Sequence, residues 1–303
     1  MRRYNKLNDY LSARFGRKVY KLAIDAGFSC PNRDGTLATG GCIFCSQAGS
    51  GDFAESGSDV KQQLERAKER IKSKLSEGTG FISYFQSFTN TYAPVEKLRE
   101  MYYAAIEDEN VVALSVATRP DCISDDCLDL LAEINEQKPV FVELGLQTSK
   151  EKTAEYINRC YKNRVFTDAV ERLRSKGIEV VVHIILGLPG ESLEDMLETV
   201  RFVSAHDVQG VKLQLLHVLR GTRLAETDYV PMEMDEYFRV LGECLEHLRP
   251  DIVIHRLTGD GDKKILKAPL WSGDKHAVLN GFARYMEEHD IVQGKRYKTT
   301  DNC

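Results

Sequence analysis

The sequence of 303 residues contains no long apolar run. A helix that crosses a membrane needs about 18 or more consecutive apolar residues, and no stretch here approaches that length. The chain also opens without the charged stretch, apolar stretch and cleavage site of a secretory signal. Its eight cysteines fit a reducing compartment better than a disulfide framework. We therefore expect a cytoplasmic protein that does not contact a membrane.

Several common catalytic motifs are missing as well. No Gly-x-Ser-x-Gly turn occurs, and no Gly-x-Gly-x-x-Gly follows a predicted strand. The segment Gly35-x₄-Gly40-Gly41 has the glycines of a phosphate-binding loop but not its lysine. The motifs of serine hydrolases, dinucleotide-binding proteins and P-loop proteins are therefore not the source of this chain's chemistry.

Positive charge is concentrated at the two ends of a chain whose net charge is −5. Residues 1–21 contain seven lysines and arginines and one acid, Asp9, and a second basic stretch runs from Lys263 to Lys298. Either end can be an ordinary solvated surface, because mixed charged faces are common. The alternative is a patch that contacts the phosphates of a nucleic acid.

Apolar runs rich in β-branched residues alternate with helical patterns along most of the chain. The runs are continuous rather than alternating, which is typical of parallel strands covered on both faces. The predicted strands are Val19–Ile24, Phe81–Phe85, Val111–Ala117, Val140–Leu146, Val180–Leu186 and Val211–Val218. A further strand, Ile252–Leu257, follows Pro250.

The segments between these strands carry helix signals. Pro94 and Ser124 precede two apolar repeats, Gly177 follows a third, and Ser192 with Asp195 forms a capping box before a fourth. Six strand–helix units predict an α/β fold, an incomplete (β/α)6 barrel, although an open doubly wound sheet gives the same local pattern. We divide the chain into a basic helical segment (1–17), the partial barrel (18–250) and a small extension with a basic tail (251–303).

Three cysteines between residues 30 and 45 are the strongest chemical signal. They are spaced Cys30-x₁₁-Cys42-x₂-Cys45 and follow the first predicted strand, so their loop leaves a strand end. Three thiolates can bind three corners of a [4Fe–4S] cluster and leave the fourth iron without a protein ligand. A structural zinc site would require a fourth cysteine or histidine at ligand spacing, and none lies nearby. Plain buried thiols remain the other alternative.

Polar residues follow or lie within the other predicted strands, where a barrel gathers its reacting groups. Each one taken singly can be a turn, a cap or a buried core residue, but together they favour a site. They are Gln86 and Ser87 after the second strand, Arg119 to Cys122 after the third, Glu143 and Gln147 in and after the fourth, and His183 in the fifth.

With these motifs the chain resembles radical S-adenosylmethionine (SAM) enzymes of the bacterial YhcC/YtqA type, which are related to the Elongator catalytic subunit. The resemblance covers most of residues 18–258. It is carried by Cys30-x₁₁-Cys42-Ile43-Phe44-Cys45, Thr118-Arg119-Pro120-Asp121, Glu143-Leu144-Gly145-Leu146-Gln147 and Gly187-Leu188-Pro189-Gly190-Glu191.

The resemblance implies two cofactors, SAM and a [4Fe–4S] cluster held by Cys30, Cys42 and Cys45. In related enzymes a glutamine after the fourth strand and an arginine twelve residues later contact SAM, and a ribose contact lies four residues before the Gly-Leu-Pro motif. Gln147, Arg159 and His183 stand at those positions, although the usual acid is replaced by His183. Phe44 would pack near the adenine. The segment Phe85-Gln86-Ser87-Phe88-Thr89 replaces a glycine-rich motif that binds the SAM amino group, so Gln86 and Ser87 are its candidates here.

The resemblance also implies a reaction and a substrate. Electron transfer from the reduced cluster, supplied by a flavodoxin- or ferredoxin-type partner, would cleave SAM to a 5′-deoxyadenosyl radical. The relatives point to tRNA, and to conversion of carboxymethylaminomethyl-uridine to aminomethyl-uridine at the wobble position. RNA would then enter near the basic residues 2–21 that precede the cysteine loop. The alternatives are a radical SAM enzyme for a small metabolite and a non-catalytic metalloprotein that binds RNA. Cys122 is a candidate hydrogen-atom donor, or else an unreactive buried thiol.

Overall fold

Seven parallel strands form the main sheet of the computed structural model, which describes residues 2–47, 49, 54–57, 59–259 and 261–298. The strands and helices before the middle of the chain are α1 (Leu7–Phe15), β1 (Val19–Ile24), α2 (Val60–Arg70), β2 (Gly80–Phe85), α3 (Val95–Ile106), β3 (Val111–Thr118), α4 (Asp125–Asn135) and β4 (Val140–Gln147). The later ones are α5 (Glu151–Tyr156), α6 (Asn163–Ser175), β5 (Glu179–Leu186), α7 (Leu193–Ser204), β6 (Gly210–Leu215), β7 (Val218–Leu219), α8 (Met234–His247), β8 (Val253–Arg256), β9 (Leu266–Ala268) and α9 (Lys275–Glu288).

The order of the strands in the sheet follows their order in the sequence. It runs β1-β2-β3-β4-β5-β6-β8, and every neighbouring pair is parallel. A doubly wound sheet would reverse its strand order at a switch point, and this sheet has no reversal. The predicted α/β partial barrel is confirmed, with β8 as a seventh strand beyond the predicted six.

The central strands of the sheet are buried along almost their whole length. β2 is buried at every position, and β3 and β4 are buried at nearly all of theirs. Helices α3, α4, α6 and α7 pack their apolar faces against this sheet and supply much of the main core. Continuous apolar strands therefore predicted the fold class correctly.

Helix α7 begins with the capping box that its sequence predicts. The Ser192 hydroxyl accepts from the Asp195 N–H, and the Asp195 carboxylate accepts from the Ser192 N–H. Ser124 caps α4 by accepting from the Cys127 N–H. Gly177 follows α6 with φ +70°, the left-handed conformation expected after a helix.

The run predicted as one strand from Val211 to Val218 is two strands in the structure. β6 ends at Leu215, and β7 pairs with β9 in an antiparallel ladder outside the main sheet. Continuous hydrophobicity gave no sign of the break, because both pieces are buried.

The basic N-terminal segment lies at the amino-terminal end of the barrel. Leu11 of α1 packs against Val19, Ile82, Phe141 and Val181, which stand near the starts of their strands. The cysteine loop begins at the opposite end of β1. The 6 residues of β1, at about 3.3 Å per residue, place that end about 20 Å from the start of the strand. The basic residues of α1 therefore lie at the other end of β1 from the cysteine loop, and entry of RNA near residues 2–21 stays a prediction. The proposed three-part division of the chain stays a prediction, and its residues 299–303 lie outside the described residues.

Candidate active site

The three cysteines of the loop after β1 face a common cavity. Cys30, Cys42 and Cys45 are free thiols of intermediate exposure, and all three line a cavity of about 240 Å³. Residues from β2 to β6 and from the segment after β8 line the same space. The cavity therefore lies where the strand ends of a barrel converge.

Backbone hydrogen bonds from two other loops fix the cysteine loop. The Ile43 N–H donates to the Ile157 carbonyl at 3.1 Å, and the Ile43 carbonyl accepts from the Leu224 N–H at 2.9 Å. The Asn158 side-chain amide donates to the Gly41 carbonyl at 2.9 Å. Asn158 itself adopts a φ of +59°, the left-handed conformation that asparagine tolerates better than most residues. The segments around Ile157 and Leu224 thus hold Cys42 and Cys45 in place.

A close contact with the loop after β2 holds the far side of the cysteine loop. The Phe88 N–H donates to the Gly49 carbonyl at 2.9 Å, and Phe88 has a φ of +58°. A Cβ atom at Gly49 would stand 2.3 Å from the Phe88 ring, so only glycine fits there. The Arg33 guanidinium lies over the Phe88 ring at 5.4 Å and donates to the Cys45 carbonyl at 3.0 Å. Phe88 thus takes the positive φ that glycine adopts easily, in a segment that has no glycine.

The donor set fits a cluster better than a single metal ion. Among the described residues, no three His, Cys, Asp or Glu side chains converge as ligands of one ion. In a [4Fe–4S] cluster each cysteine binds a different iron, so the sulfurs need not converge. Burial, followed by the negative charge of Cys45, raises the pKa of Cys42 to about 12. The metal-free thiol therefore stays protonated near neutral pH and releases its proton on binding iron. The Asn32 amide donates to the Cys42 sulfur at 3.6 Å, a contact that suits a thiolate.

A buried carboxylate, Glu143 of β4, stands at the centre of the barrel interior. It is fully buried and accepts hydrogen bonds from Lys21 of β1 at 2.5 Å and from Ser115 of β3 at 2.8 Å. Its other oxygen is 2.7 Å from His183 Nε2 and also pairs with Lys212 of β6. Four strands therefore direct polar side chains at one carboxylate.

The charges of this group are set by burial and by one another. Although burial opposes ionisation, Lys21 and then Lys212 hold the pKa of Glu143 well below its usual range. Burial, followed by the positive charge of Lys212, lowers the pKa of His183 to about 4. Burial also lowers the pKa of Lys212 to about 7 despite the charge of Glu143. At neutral pH Glu143 is ionised and His183 is neutral.

Most of the residues predicted for cofactor binding come together in the structure. The cavity that the cysteines line also includes Phe44, Gln86, Gln147, Arg159 and His183. Gln147 ends β4 at a bulge with a φ of +63°. Their assignment as SAM contacts stays a prediction.

Ser87 is fully buried, and its hydroxyl has no hydrogen-bond partner among the residues that the structure describes. An orphaned buried hydroxyl beside the cysteine loop is compatible with a bound polar group. Cys122 is not among the residues that line the cysteine cavity; it lines a separate groove with residues 91–94 and 121–124. Its sulfur is 3.6 Å from Asp121, and burial raises its pKa above the usual range. That position favours the alternative of an unreactive thiol.

Arg159 is fully buried, and its guanidinium is engaged within the protein. It donates to the carbonyls of Leu146, Thr148 and Tyr161 and to the Asn163 side chain, at 2.7–3.1 Å. These bonds use all five of its N–H donors. Arg159 thus fixes the backbone after β4, directly beside Gln147.

Sequence reasoning missed the cationic residues inside the barrel. Lys21 counted as part of the basic N-terminal surface, but its ammonium lies beside Glu143 in the interior. Lys212 and Arg256 line the cavity and were not singled out. A signal was present, because Lys21 and Lys212 each interrupt a continuous apolar strand, where a lysine is seldom buried without a partner.

Several basic residues at the ends of the chain are paired with acids. Arg14 forms an ion pair with Glu179, and Arg3 pairs with Asp290 at 3.3 Å. Arg296 pairs with Glu243 at 2.7 Å. The Arg3–Asp290 pair joins the two ends of the chain, and all three pairs reduce the net positive charge available for RNA. Within the described part of the chain no helix is both long enough and apolar enough to cross a membrane.

Comparison with known proteins identifies the family. The profile of the radical SAM superfamily matches residues 35–203, and that of the Radical_SAM C-terminal domain matches residues 208–288. The chain belongs to the radical SAM superfamily. Membership implies that SAM and a [4Fe–4S] cluster are the cofactors, which agrees with the three thiols that face one cavity.

Individual relatives agree with this assignment. The chain is 45% identical over 303 residues to the uncharacterized protein YtqA of Bacillus subtilis, covering 98% of this chain and 94% of that protein. It is 25% identical over 172 residues to a tRNA-2-methylthio-N(6)-dimethylallyladenosine synthase of Fusobacterium nucleatum, covering 56% of this chain and 38% of that protein. The predicted likeness to YtqA-type proteins is confirmed.

A solved structure confirms the fold. The archaeal Methanocaldococcus infernus Elp3 superimposes with a TM-score of 0.68 at 16% identity. The match covers 91% of this chain and spans 64% of the length of the Elp3 chain. At this identity the likeness concerns the fold of the radical SAM barrel alone.

Proposed function

We propose that this radical SAM enzyme modifies tRNA at the wobble uridine, converting carboxymethylaminomethyl-uridine to aminomethyl-uridine. The observation that carries the proposal is that Cys30, Cys42 and Cys45 face one cavity together with polar residues from the strand ends. The reductant is a flavodoxin- or ferredoxin-type protein, and the reaction takes place in the cytoplasm.

In this proposal each of the three cysteines would bind one iron, and the fourth iron would be left for SAM. When bound, the reduced cluster and SAM would supply a 5′-deoxyadenosyl radical that takes a hydrogen atom from the methylene of the carboxymethyl group. Overall SAM is the oxidant and takes up two electrons to become methionine and 5′-deoxyadenosine, while the carboxymethyl group leaves as glyoxylate with an oxygen atom from water. The chain contributes orientation and a space that excludes water. Phe44 lies directly before Cys45 and lines the cavity, where its ring can pack against the adenine.

His183 is suited to accept a hydrogen bond from a ribose hydroxyl. Its Nε2 atom lies 2.7 Å from the ionised Glu143, so Nε2 carries the proton in that bond. A neutral imidazole that donates from Nε2 has an unprotonated Nδ1, which is an acceptor. The imidazole can therefore take the place of the acid that related enzymes have at this position. Glu143 fixes the tautomer and is a positioning residue.

Gln147 and Arg159 have different roles in this proposal. Gln147 lines the cavity at the bulge where β4 ends, and its side chain reaches SAM. Arg159 holds the carbonyls of Leu146 and Thr148 on either side of Gln147, at 2.9 Å and 2.7 Å. Its positive charge lies at the cavity wall and offsets the charge of the SAM carboxylate without a direct hydrogen bond. Gln86 lines the cavity and is a candidate for the amino group, and Ser87, the next residue along, is a second candidate although it is buried outside the cavity lining.

Two arguments support tRNA as the substrate. The chain resembles enzymes of the Elongator type, and the Fusobacterium relative is by its name a tRNA-modifying enzyme. The ion pairs of Arg3, Arg14 and Arg296 count against an RNA-binding surface formed by the basic ends of the chain. A small acidic metabolite is therefore the second candidate, favoured by the cationic side chains inside the barrel.

Nucleoside mass spectrometry of tRNA separates the two candidates. A strain without the gene is compared with the same strain carrying the wild-type gene or a Cys45→Ala gene. The proposal predicts that carboxymethylaminomethyl-uridine accumulates in the deletion strain and with Cys45→Ala, and that aminomethyl-uridine returns with the wild-type gene. Unchanged wobble uridines in all strains would refute the tRNA assignment and leave the metabolite.

A further inference from the structure

We propose that five exposed cations beside the cysteine cavity bind phosphates of the tRNA substrate. The inference deepens the proposed function and rests on it, since it adds the surface that holds the tRNA while the wobble uridine reaches the cavity. The five residues, here called the basic rim, are Arg220, Arg223, Lys263, Lys264 and Lys267.

Pairing of β7 with β9 brings cations from two distant segments together. Leu219 of β7 is the register partner of Leu266 of β9. The N–H of Arg220, the residue after β7, donates to the Ile265 carbonyl at 2.7 Å. Since Lys264 directly precedes Ile265, Arg220 stands beside the two lysines at the start of this segment.

The 3₁₀ helix Arg223–Glu226 connects these cations to the cysteine loop. The Lys267 ammonium donates to the Ala225 carbonyl at 2.6 Å. The Arg223 guanidinium donates to the Gly41 carbonyl of the cysteine loop, and Gly41 lines the cysteine cavity. The basic rim therefore borders the space in which the cluster and SAM would lie.

An apolar cluster holds the β7–β9 ladder against the cysteine loop. Ile43 of that loop belongs to one buried cluster with Ile157, Val218 and Leu224, and Ala268 of β9 packs against it. The position of the rim relative to the cysteines is therefore set by packing. Contacts to phosphates fix the register and orientation of a bound nucleic acid, so a rim held in this way can direct one nucleotide to the cavity.

Three of the rim side chains are available to a ligand. All five are exposed, and Arg220, Lys263 and Lys264 make no ion pair or side-chain hydrogen bond with any residue that the structure describes. The neighbouring acid Asp262 accepts from the Lys264 backbone N–H at 3.0 Å and pairs with no rim side chain. Glu226 is exposed and likewise pairs with none of them. The rim thus differs from the arginines at the chain ends, whose charges are paired.

The position of the rim favours RNA over an acidic protein. Leu219 and Gly259, on the same two segments, line the cysteine cavity themselves, so one unit forms both the cavity wall and the rim. An enzyme that modifies a base takes that base out of its stack into the active site, so its phosphate contacts have to border the cavity. A reductant approaches the cluster but does not enter. Tyr156, which precedes the Ile157 that accepts from the Ile43 N–H, is 54% exposed and can stack on an unpaired base.

Binding of tRNA to the anaerobically reconstituted protein tests the basic rim. The probe is an unmodified transcript of a tRNA with uridine at the wobble position, titrated at salt concentrations from about 50 to about 200 mM. Lys263→Gln/Lys264→Gln removes two rim charges, and Lys18→Gln/Lys74→Gln is the matched control. Both control lysines are exposed. Lys18 directly precedes β1, and the Lys74 carbonyl accepts from Tyr20 near the start of β1, at the end of the barrel opposite the cysteine loop.

The rim variant should bind tRNA at least about tenfold more weakly than the wild type at about 50 mM salt, and the gap should narrow as the salt concentration rises. The slope of log K against log[salt] should become shallower by about 1.5, since each lost phosphate contact removes about 0.7–0.9. The control variant should match the wild type in affinity and slope. All three proteins should bind the same amount of iron per chain, and adding Arg220→Gln to the rim variant should weaken tRNA binding further.

The outcomes are distinct. A rim variant that binds tRNA as the wild type does, or a loss shared equally by the control variant, overturns the basic rim. Slower reduction of the cluster by flavodoxin, with tRNA binding unchanged, assigns these residues to the reductant and also overturns it. If the rim variant loses tRNA binding and the tRNA of the deletion strain is unchanged, the rim stands and the uridine reaction fails. If the tRNA of the deletion strain changes and the rim variant binds normally, the proposed function stands and the rim fails.

Discussion

Glu143 is predicted to be one of the most sensitive positions for stability, although it lies in no motif that binds the cluster. Replacing it with glutamine keeps the size of the side chain and removes the charge that Lys21, Lys212 and His183 share. Removing one partner of a buried ion pair costs about 3–5 kcal/mol, because the remaining charge stays buried without compensation. Glu143 is fully buried, so solvent cannot replace the lost contacts.

The expected loss converts to a measurable change in the midpoint of thermal unfolding. An unfolding entropy of about 2.1 cal/mol/K per residue, applied to the 303 residues, predicts a midpoint lower by about 5–8 °C. Circular dichroism or calorimetry of the anaerobic protein measures the shift. The matched control is Glu133→Gln, which removes an exposed carboxylate paired with Arg99 and should cause a much smaller shift.

A double variant isolates the reason for the loss. In Glu143→Gln/Lys212→Met the uncompensated lysine is also gone, so the double variant should be more stable than the sum of the single changes predicts. Strict additivity, or a shift for Glu143→Gln no larger than that of Glu133→Gln, would show that water reaches this cluster and would refute the reasoning.

Three further predictions follow from the same geometry. The pKa of Glu143 is held well below its usual range, so its stabilising contribution is present at neutral pH and is lost as the pH falls below about 4.5. The midpoint of thermal unfolding of the wild type should therefore fall more steeply from about pH 6 to pH 3 than that of Glu143→Gln. Equal slopes would disprove this. Gly49→Ala should lower the free energy of unfolding by about 1–3 kcal/mol and reduce the iron bound per chain, since its Cβ atom would meet the Phe88 ring. The control Gly35→Ala, with φ +93° and no atom within 4 Å of its Cβ, should lose stability only through its backbone conformation. Equal iron retention in the two variants would count against the contact. Asn158→Ala removes the hydrogen bond to the Gly41 carbonyl. Its loss should lower the free energy of unfolding by about 1–3 kcal/mol and speed the release of iron to a chelator. An unchanged rate of release would show that this bond does not hold the loop.

Periodicity and capping signals predicted most of the fold. Val19–Ile24 is a strand with those bounds, and the capping box at Ser192 begins α7. The parallel sheet followed from continuous apolar strands, but the strand order that separates a barrel from a doubly wound sheet did not. That order depends on which strands pair, and local sequence carries no record of pairing. The departure of β7 from the sheet was missed for the same reason.

The candidate site was predictable where the chemistry is local in sequence. Three cysteines within sixteen residues belong to one loop whatever the fold. Lys21 shows the limit of this reasoning, because a lysine in a basic run looks like surface until the fold turns it toward Glu143. Arg159 shows another limit, since its five hydrogen bonds to its surroundings arise only when the backbone after β4 curls around it. Charge balance inside a barrel is a property of side chains from many strands together.

Iron analysis and SAM cleavage on one anaerobic preparation test the central claim most directly. The account predicts about four irons per chain after reconstitution, and formation of 5′-deoxyadenosine and methionine once dithionite is added. Cys30→Ala, Cys42→Ala and Cys45→Ala should each lose both properties, whereas Cys160→Ala, an exposed thiol near the same loop, should keep both. A protein that stays colourless when iron and sulfide are supplied, or that binds iron and leaves SAM intact, would contradict the account.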